Sequence, residues 1–597
     1  MSETAIIATQ MSSSAALRAL YRTLLPRRRY QAWGTIALMM VGALAEVVSV
    51  GSILPFLAVL TNPTRLGSIP LVGGLIDGLP PGTNLVAVTA LAFIGLFIVS
   101  GLIRLALAWV SQALAFDIAY DLSVTAFAKL IRQPYSYYVE RHSGESLGQF
   151  EKLHYITFST LLSGVQALIS SVVAALLIAL LIAVNPMVAL ISAGLLIGTY
   201  LLISLGVRAI LSRNSDAGSL HATLRIKRVQ EALGGIRDIL LDRSQPAFER
   251  EFEHSANVFR RVSSLTSFIS QSPRILIEML GMAMIGGYAW SLAASPGGLT
   301  AAIPMLGAFA LGAQRLLPLL QQSYNGWSSF ISNRRNVIDV VDLVTLSVRS
   351  LPEAAPGTTF HQSIAFDHVG FAYPTGGTVL HDISFTIFRG ERIGIAGTTG
   401  SGKSTVMDLL LGLLDPNYGA ILIDGRVLDD STRAGWQSEI AHVPQAIYLA
   451  DDTLAANIAF GVPDGEIDIK RIEAAAASAG IGDFIAGLPN GFSTKTGERG
   501  VRLSGGQRQR IGIARALYKR ASVLVFDEAT SALDTRTEEG VMASIAALGP
   551  EITIVMIAHR LTTLKDCNRV IHLEHGQIDK VVDSTGVLIE QAGHGSR

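Results

Sequence analysis

Eight consecutive residues, Gly397-Thr398-Thr399-Gly400-Ser401-Gly402-Lys403-Ser404, carry the most specific chemistry in the chain. They follow the apolar run Arg392–Ala396, read as a strand, and open a predicted helix over Thr405–Leu414. Strand, glycine loop and helix in that order make a phosphate-binding loop. Its glycines let backbone N–H groups approach phosphate oxygens, and the helix N-terminus adds a partial positive charge. Lys403 would reach the β- and γ-phosphates of a nucleotide, the Ser404 hydroxyl would ligate Mg²⁺, and Thr405 opens the helix behind them.

Two further stretches complement that loop. Val523-Leu524-Val525-Phe526 reads as a buried strand that ends in Asp527-Glu528. The C-terminal edge of such a strand is where an open α/β sheet places its ligands. There Asp527 would hold Mg²⁺, and Glu528 would polarise an attacking water as general base. Ser504-Gly505-Gly506-Gln507 precedes a predicted helix over Arg508–Leu517 and forms a second small-residue loop suited to an anion. One nucleotide needs one cradle, so the second makes most sense closing on the γ-phosphate held by another copy of the chain.

The elements that must position these residues fall into two compositional halves. The chain has 597 residues, of which 50% are hydrophobic and 16% charged. Its mean hydropathy is +0.43. That balance points to a membrane protein. Lys+Arg and Asp+Glu are equal at 47 each, so overall charge names no partner. The single cysteine, Cys567, excludes an intrachain disulfide framework and suits a reducing compartment. The N-terminal stretch is polar and then basic, which predicts no cleavable signal peptide.

Apolar runs cover about residues 33–60, with Glu46 as the one charge, and about 84–116, with Arg104. Residues 153–207 carry no Asp, Glu, Lys or Arg, too long for one crossing of a roughly 30 Å hydrocarbon core, and Asn185-Pro186 is the natural break. Residues 279–314 are also uncharged and turn at 295–298. The expectation is six spans. Residues 69–79, between the first two, read as a short interfacial helix. Arg27–Arg29, Lys129, Arg132, Arg141, Lys152, the stretch 208–261 and Arg334-Arg335 fall on one side, against Arg65 alone on the other. Both termini are therefore expected in the cytoplasm of a multi-pass protein of the cell membrane. Helical patterns continue past the bilayer over 117–156 and 208–265.

After a Pro- and Gly-containing linker, 351–359, the pattern becomes α/β, with strands expected at Ile364–Phe366, Ile383–Ile387, Arg392–Ala396, Ile421–Ile423, Val523–Phe526, Ile552–Ile557 and Val570–Leu573. Strands alternating with helices predict a mostly parallel sheet. The expected organisation is a helical membrane domain over 1–350 and an α/β nucleotide-binding domain over 360–597.

The Ser504–Gln507 motif resembles the signature of ATP-binding-cassette ATPases, and residues 360–590 resemble that family motif by motif. Tyr373, in Phe371-Ala372-Tyr373-Pro374, resembles the aromatic that stacks on adenine. Gln445 resembles the loop glutamine that contacts Mg²⁺ and relays to the membrane domain. Ser531-Ala532-Leu533-Asp534 resembles the loop that crosses the dimer interface. His559 resembles the switch histidine on the γ-phosphate, and Thr496-Gly497-Glu498-Arg499-Gly500 the exporter loop that touches the membrane domain's helical extensions. Six spans ahead of one cassette resemble a half-transporter of the type IV exporter class. That resemblance implies ATP and Mg²⁺ as cofactors, a second copy as partner, and coupling helices near Ser143–Phe150 and Leu233–Leu240.

Within exporters, the membrane half is similar to flippases for lipid-linked oligosaccharides. The likeness rests on the segment after span 1, on Gly497–Gly500 and on arginines within spans. Arg104, Arg274 and Arg315 lie in or near apolar runs and are candidate contacts for an anionic headgroup, such as a polyprenyl pyrophosphate. Internal pairing competes with that role: Arg274 and Glu278 are four apart on one helix, and Glu46 is placed to meet Arg104.

The leading expectation is therefore an ATP-driven homodimeric exporter or flippase of a lipid or glycolipid. Another lipid, a drug or a peptide is an alternative cargo. An ATP-gated channel or regulator is the alternative of another class, disfavoured because Glu528 and His559 are intact. A soluble cassette ATPase acting on nucleic acid is disfavoured by the apolar runs.

Overall fold

The computed structural model describes residues 13–52, 56, 84–139, 143–184, 186–293, 298–348, 360–374, 376–527, 538–540, 542–543, 549–558, 564 and 566–583. The chain divides into two compact units, Met1–Gln133 with Tyr138–Val348, and Pro134–Tyr137 with Arg349–Arg597. The linker 351–359 and the segment 69–79 lie outside the described residues.

The first unit is helical. Its elements are α1 (Ser13–Thr23), α2 (Pro26–Gly51), α3 (Leu85–Leu130), α4 (Ser143–Ile156), a π-helical turn (Thr157–Leu162), α5 (Ser163–Val184), α6 (Pro186–Gly234), α7 (Ile236–Leu241), α8 (Gln245–Ala293), α9 (Gly298–Ser332) and α10 (Arg334–Thr345). Local sequence explains several starts. Pro26 and Pro186 sit at the first helical position, where a missing N–H costs nothing. Asn84 caps α3, its Oδ1 accepting from the amides of Val86 at 3.1 Å and Ala87 at 3.2 Å.

Four helical stretches among the described residues are long and apolar enough to cross a membrane: Pro26–Gly51, Val86–Leu130, Ser146–Ala183 and Ala189–Gly234. α8 and α9 carry the remaining two apolar runs expected to span. At 46 residues, α3 is about 69 Å long and continues well past a hydrocarbon core of roughly 30 Å. α6 and α8, at 49 residues each, do the same and pack on each other. Of the two segments expected as coupling helices, 233–240 runs from the end of α6 into α7, and Ser143–Phe150 forms the start of α4.

Buried ion pairs fix the unit's base. Arg28 on α2 donates to Asp117 (2.5 Å) and Asp121 (2.6 Å) on α3. Lys152 on α4 donates to Asp339 of α10 at 2.5 Å, while Arg335 approaches the other Asp339 oxygen at 2.9 Å and Ser219 of α6 donates at 3.2 Å.

The second unit holds two sheets. β1 (Ser363–Ala372), β2 (Thr378–Phe388), β4 (Tyr418–Ile423) and β5 (Arg426–Val427) form an antiparallel sheet in the order β2-β1-β4-β5. β3 (Arg392–Gly397), β6 (Ile440–Val443), β7 (Val523–Asp527), β8 (Thr553–Ile557), β9 (Arg569–Glu574) and β10 (Gln577–Asp583) form the other, in the order β10-β9-β3-β8-β7-β6. That second sheet is parallel except for β10 on β9. The expected mostly parallel sheet is thus corrected in part. Three of the predicted strands pair antiparallel in their own sheet, and between β1 and β2 the short connection permits only antiparallel pairing. Two helices matter for the site, α11 (Lys403–Leu410) and α12 (Gly505–Lys519). The expected helix over 405–414 starts two residues earlier and stops at Leu410, followed by Gly412 in the left-handed region at φ 64°.

The parallel sheet separates two cores by simple alternation. On β7, Val523 and Val525 face the core shared with the antiparallel sheet, and Leu524 and Phe526 face the core around α12. β8 repeats the division, with Val555 and Ile557 against Ile554 and Met556. Burial on both faces is why these strands read as continuous apolar runs.

Candidate functional site: a phosphate loop and a basic membrane cavity

The loop Gly397–Ser404 joins β3 to α11 at the C-terminal end of the parallel strands. Thr398, Thr399 and Gly400 are exposed, and Ser401 and Gly402 are buried beneath them. Gly402 has φ 101°, and a Cβ there would lie 2.5 Å from Leu380 Cδ2, so only glycine fits. Gly400 has φ 83° with open space on its Cβ side. Lys403 is itself buried, and its Nζ donates to the carbonyls of Gly397 and Thr398, both at 2.8 Å. The ammonium is therefore laid across the loop it closes. Ser401 Oγ is buried with no partner among the described residues. An exposed glycine arch, a folded-in lysine and an unpartnered hydroxyl suit a phosphate chain. Ser404, exposed at the first turn of α11, and Asp527 are hard oxygen donors suited to Mg²⁺.

Asp527 ends β7, where it pairs with Ile557, and Ile557 also pairs with Ile395 of β3 on its other side. The acid therefore stands level with the entry to the phosphate loop, two strands away. Its field is felt on α11: burial, and then the Asp527 charge, push the Asp408 carboxyl up to about 6. Asp408 was not singled out from sequence; an acid facing inward from the loop's helix was its only signal. Gln445 is exposed two residues past β6. Tyr373 follows β1 and packs edge-on to Phe371 at 4.9 Å. Glu528, Ser531–Asp534 and His559 lie outside the described residues.

Ser504 is the N-cap of α12, with Gly505 and Gly506 in its first turn and Gln507 completing a capping box. Gly505 lines a cavity of about 590 Å³ with Gln445, Glu498, Arg508 and Gln509, and no residue of the Gly397–Ser404 loop lines it. The two small-residue loops are thus separate cradles within one chain.

In the membrane unit, helices α2, α3, α5 and α9 enclose a cavity of about 690 Å³. Arg104 and Arg315 converge there on one carboxylate. Arg104 Nε lies 3.3 Å from Glu46 Oε2, and Arg315 Nη1 lies 3.4 Å from Glu46 Oε1. Phe97 sits under Arg315 at 5.7 Å, Phe56 stacks on Phe93, and Phe93 packs tilted against Phe97. Gln112, Gln166, Gln314 and Gln322 also line the cavity. The cavity is amphipathic, lined by three phenylalanines, four glutamines and two guanidinium groups. Arg274 is elsewhere: exposed on α8, it donates to Glu278 at 2.8 Å and does not line this cavity. Sequence alone left Arg315 without a partner and missed the glutamines. Amides inside apolar helices were the available signal.

Residues 380–531 match the family model described as ABC transporter, and residues 34–300 match that described as ABC transporter transmembrane region. The chain belongs to the ABC transporters. This transporter is 41% identical over 250 residues to an ATM1-type heavy metal exporter of Novosphingobium aromaticivorans, a stretch that is 41% of each chain. It is 43% identical over 217 residues to an ATP-dependent lipid A-core flippase of Cupriavidus metallidurans, 36% of each. To the mouse ATP-binding cassette sub-family B member 6 it is 40% identical over 250 residues, 41% of this chain and 29% of that one. The transporter thus spans about two fifths, or less, of the curated relatives it matches. A solved structure, that of a bacterial Atm1-family ABC exporter with ATP bound, shares the fold at a TM-score of 0.73 and 24% identity, covering 95% of this transporter and 98% of that chain.

Proposed function

We propose that this ABC transporter is an ATP-driven exporter or flippase that works as a pair of identical chains in the cytoplasmic membrane, with both termini in the cytoplasm. Its cargo is an amphiphile with an anionic headgroup, foremost a lipid-linked oligosaccharide or related polyprenyl-pyrophosphate glycolipid. The observation that carries the reading is the amphipathic cavity in which Arg104 and Arg315 converge. Guanidinium forks match phosphate oxygens, and a charge inside a membrane domain usually faces a cavity or a partner.

In this reading the Gly397–Ser404 amides and Lys403 bind the phosphates of ATP, and Tyr373 stacks on the base. Ser404, Gln445 and Asp527 hold Mg²⁺, which offsets phosphate charge. Glu528 orients and deprotonates water, and His559 senses the γ-phosphate. Ser504–Gln507 of the second copy closes on the same nucleotide.

The test is ATP hydrolysis by reconstituted protein against a lipid panel. A polyprenyl-pyrophosphate glycolipid should stimulate hydrolysis, and Arg104→Ala and Arg315→Ala should lose that stimulation while basal hydrolysis survives. Equal stimulation of both variants would remove the anionic-cargo reading.

A further inference from the structure

Glu46 stands out among the carboxylates of the membrane unit. It is only 6% exposed, yet the side chains of its partners, Arg104 and Arg315, are 46% and 37% exposed. The carboxylate sits behind and the two forks stand in front, facing the cavity. Ser100, also buried, donates to Glu46 Oε2 at 3.1 Å and fixes the carboxylate from α3.

The contacts to the arginines are loose. They measure 3.3, 3.4 and 3.5 Å, where charge-assisted bonds usually run about 2.7–2.9 Å. The same unit builds tight pairs when the role is structural: Arg28 and Lys152 reach their acids at 2.5–2.6 Å. Arg104 turns Nε and Nη1 toward Glu46, and Arg315 turns Nη1 toward it. The cluster is thus held together while most of its hydrogen-bonding capacity toward the cavity remains. Its net charge is +1 rather than +2, because one carboxylate offsets one of two guanidinium groups.

A transport site must bind strongly enough to load and weakly enough to release. Two arginines without a counter-charge in a low-dielectric cavity would hold a pyrophosphate too well. Resting on the anionic-cargo reading above, we propose that Glu46 is the release group of this site: an internal carboxylate that competes with the cargo's phosphate for Arg104 and Arg315 and retakes them as the headgroup leaves. It is a positioning and specificity residue, acting through the arginines.

The test measures binding of farnesyl pyrophosphate to the purified full-length protein, with ADP saturating the cassettes so that the probe reads the membrane cavity. Glu46→Gln should bind the probe about tenfold more tightly than wild type, with a steeper loss of binding on adding salt, and should turn over glycolipid more slowly with a lower KM. A purely structural Glu46 would give weaker binding instead. Glu46→Asp, which keeps the charge but draws it back by one methylene, should bind about threefold more tightly and decides the matter if Glu46→Gln does not fold. Arg104→Ala and Arg315→Ala separate the two claims. If they bind the probe like wild type, the anionic-cargo reading falls and the release group falls with it. If they weaken binding while the Glu46 variants bind no more tightly than wild type, only the release group is overturned.

Discussion

Ser504 and Gln507 cap each other across the first turn of α12: the Gln507 amide donates to Ser504 Oγ at 3.2 Å, and the Ser504 amide donates to Gln507 Oε1 at 2.8 Å. The serine oxygen is thereby engaged as acceptor, and its hydroxyl proton is left to donate to an incoming phosphate oxygen. The cap and the anion contact can therefore be separated by mutation. Ser504→Ala removes both and should cut hydrolysis by about 10²-fold or more, as loss of one preorganised donor does. Gln507→Ala removes only the reciprocal bond from the Ser504 N–H and leaves Ser504 Oγ capping the Gln507 backbone N–H, so hydrolysis should stay within about tenfold of wild type. Hydrolysis rates of the two purified variants check this. Equal loss in both would mean that the helix start alone matters.

Lys403 should matter even before nucleotide arrives, because its Nζ bridges the carbonyls of Gly397 and Thr398. Lys403→Ala should abolish hydrolysis and most ATP affinity. It should also raise hydrogen exchange at the amides of 398–401 in nucleotide-free protein. Lys403→Arg should fail as well, since a planar fork cannot follow a compact ammonium into that bend. Unchanged exchange in the alanine variant would show that the lysine does not hold the empty loop.

Asp339 is the buried acceptor for Lys152 and Arg335, with Ser219 completing its shell. Asp339→Ala leaves two cations without their acid and should cost about 3–5 kcal/mol, read by denaturant unfolding in detergent. Replacing the buried pair together, Lys152→Met with Asp339→Leu, should recover part of that loss. A double variant no better than the single one would place the cost elsewhere than in the stranded charge.

His442, on β6, gives the cassette an acid sensitivity. Burial pushes its imidazole down to about 4, and its Nε2 is buried without a partner among the described residues. The folded chain therefore binds this proton less readily than the unfolded chain, whose histidine titrates near 6.5. Stability is full above about 6.5 and falls as pH drops from 6.5 toward 4. Thermal unfolding of the wild type should lose more between pH 7 and 4.5 than that of His442→Gln. Parallel curves would contradict the buried-neutral assignment.

The phosphate loop was legible because its demands are local: Gly402, Lys403 and Ser404 follow one another, and the strand before them is apolar on both faces. Arg274 and Glu278 were legible as a pair for the same reason, four residues apart on one helix. The meeting of Glu46, Arg104 and Arg315 was only half legible. Which faces of α2, α3 and α9 meet is decided by packing over 58 and 269 residues of separation, beyond the reach of any helical period. β6 was missed because Ile440–Val443 is four residues long and interrupted by His442; only its place beside β7 makes it a strand. The antiparallel sheet was missed as a separate layer because alternation of strands with helices does not say which strands share a sheet.

The most direct measurement is ATP-dependent movement of a polyprenyl-pyrophosphate glycolipid across the bilayer of proteoliposomes. It is read as loss of the glycan from the outer face, where the cassettes of inside-out molecules meet added ATP. Wild type should translocate the glycolipid only with ATP. Lys403→Ala should not translocate it at all, and Arg104→Ala with Arg315→Ala should hydrolyse ATP at the basal rate yet translocate at less than about one tenth of the wild-type rate, the loss expected when charge-assisted phosphate contacts are removed. Wild-type translocation by the double arginine variant, or translocation by Lys403→Ala, would contradict the account.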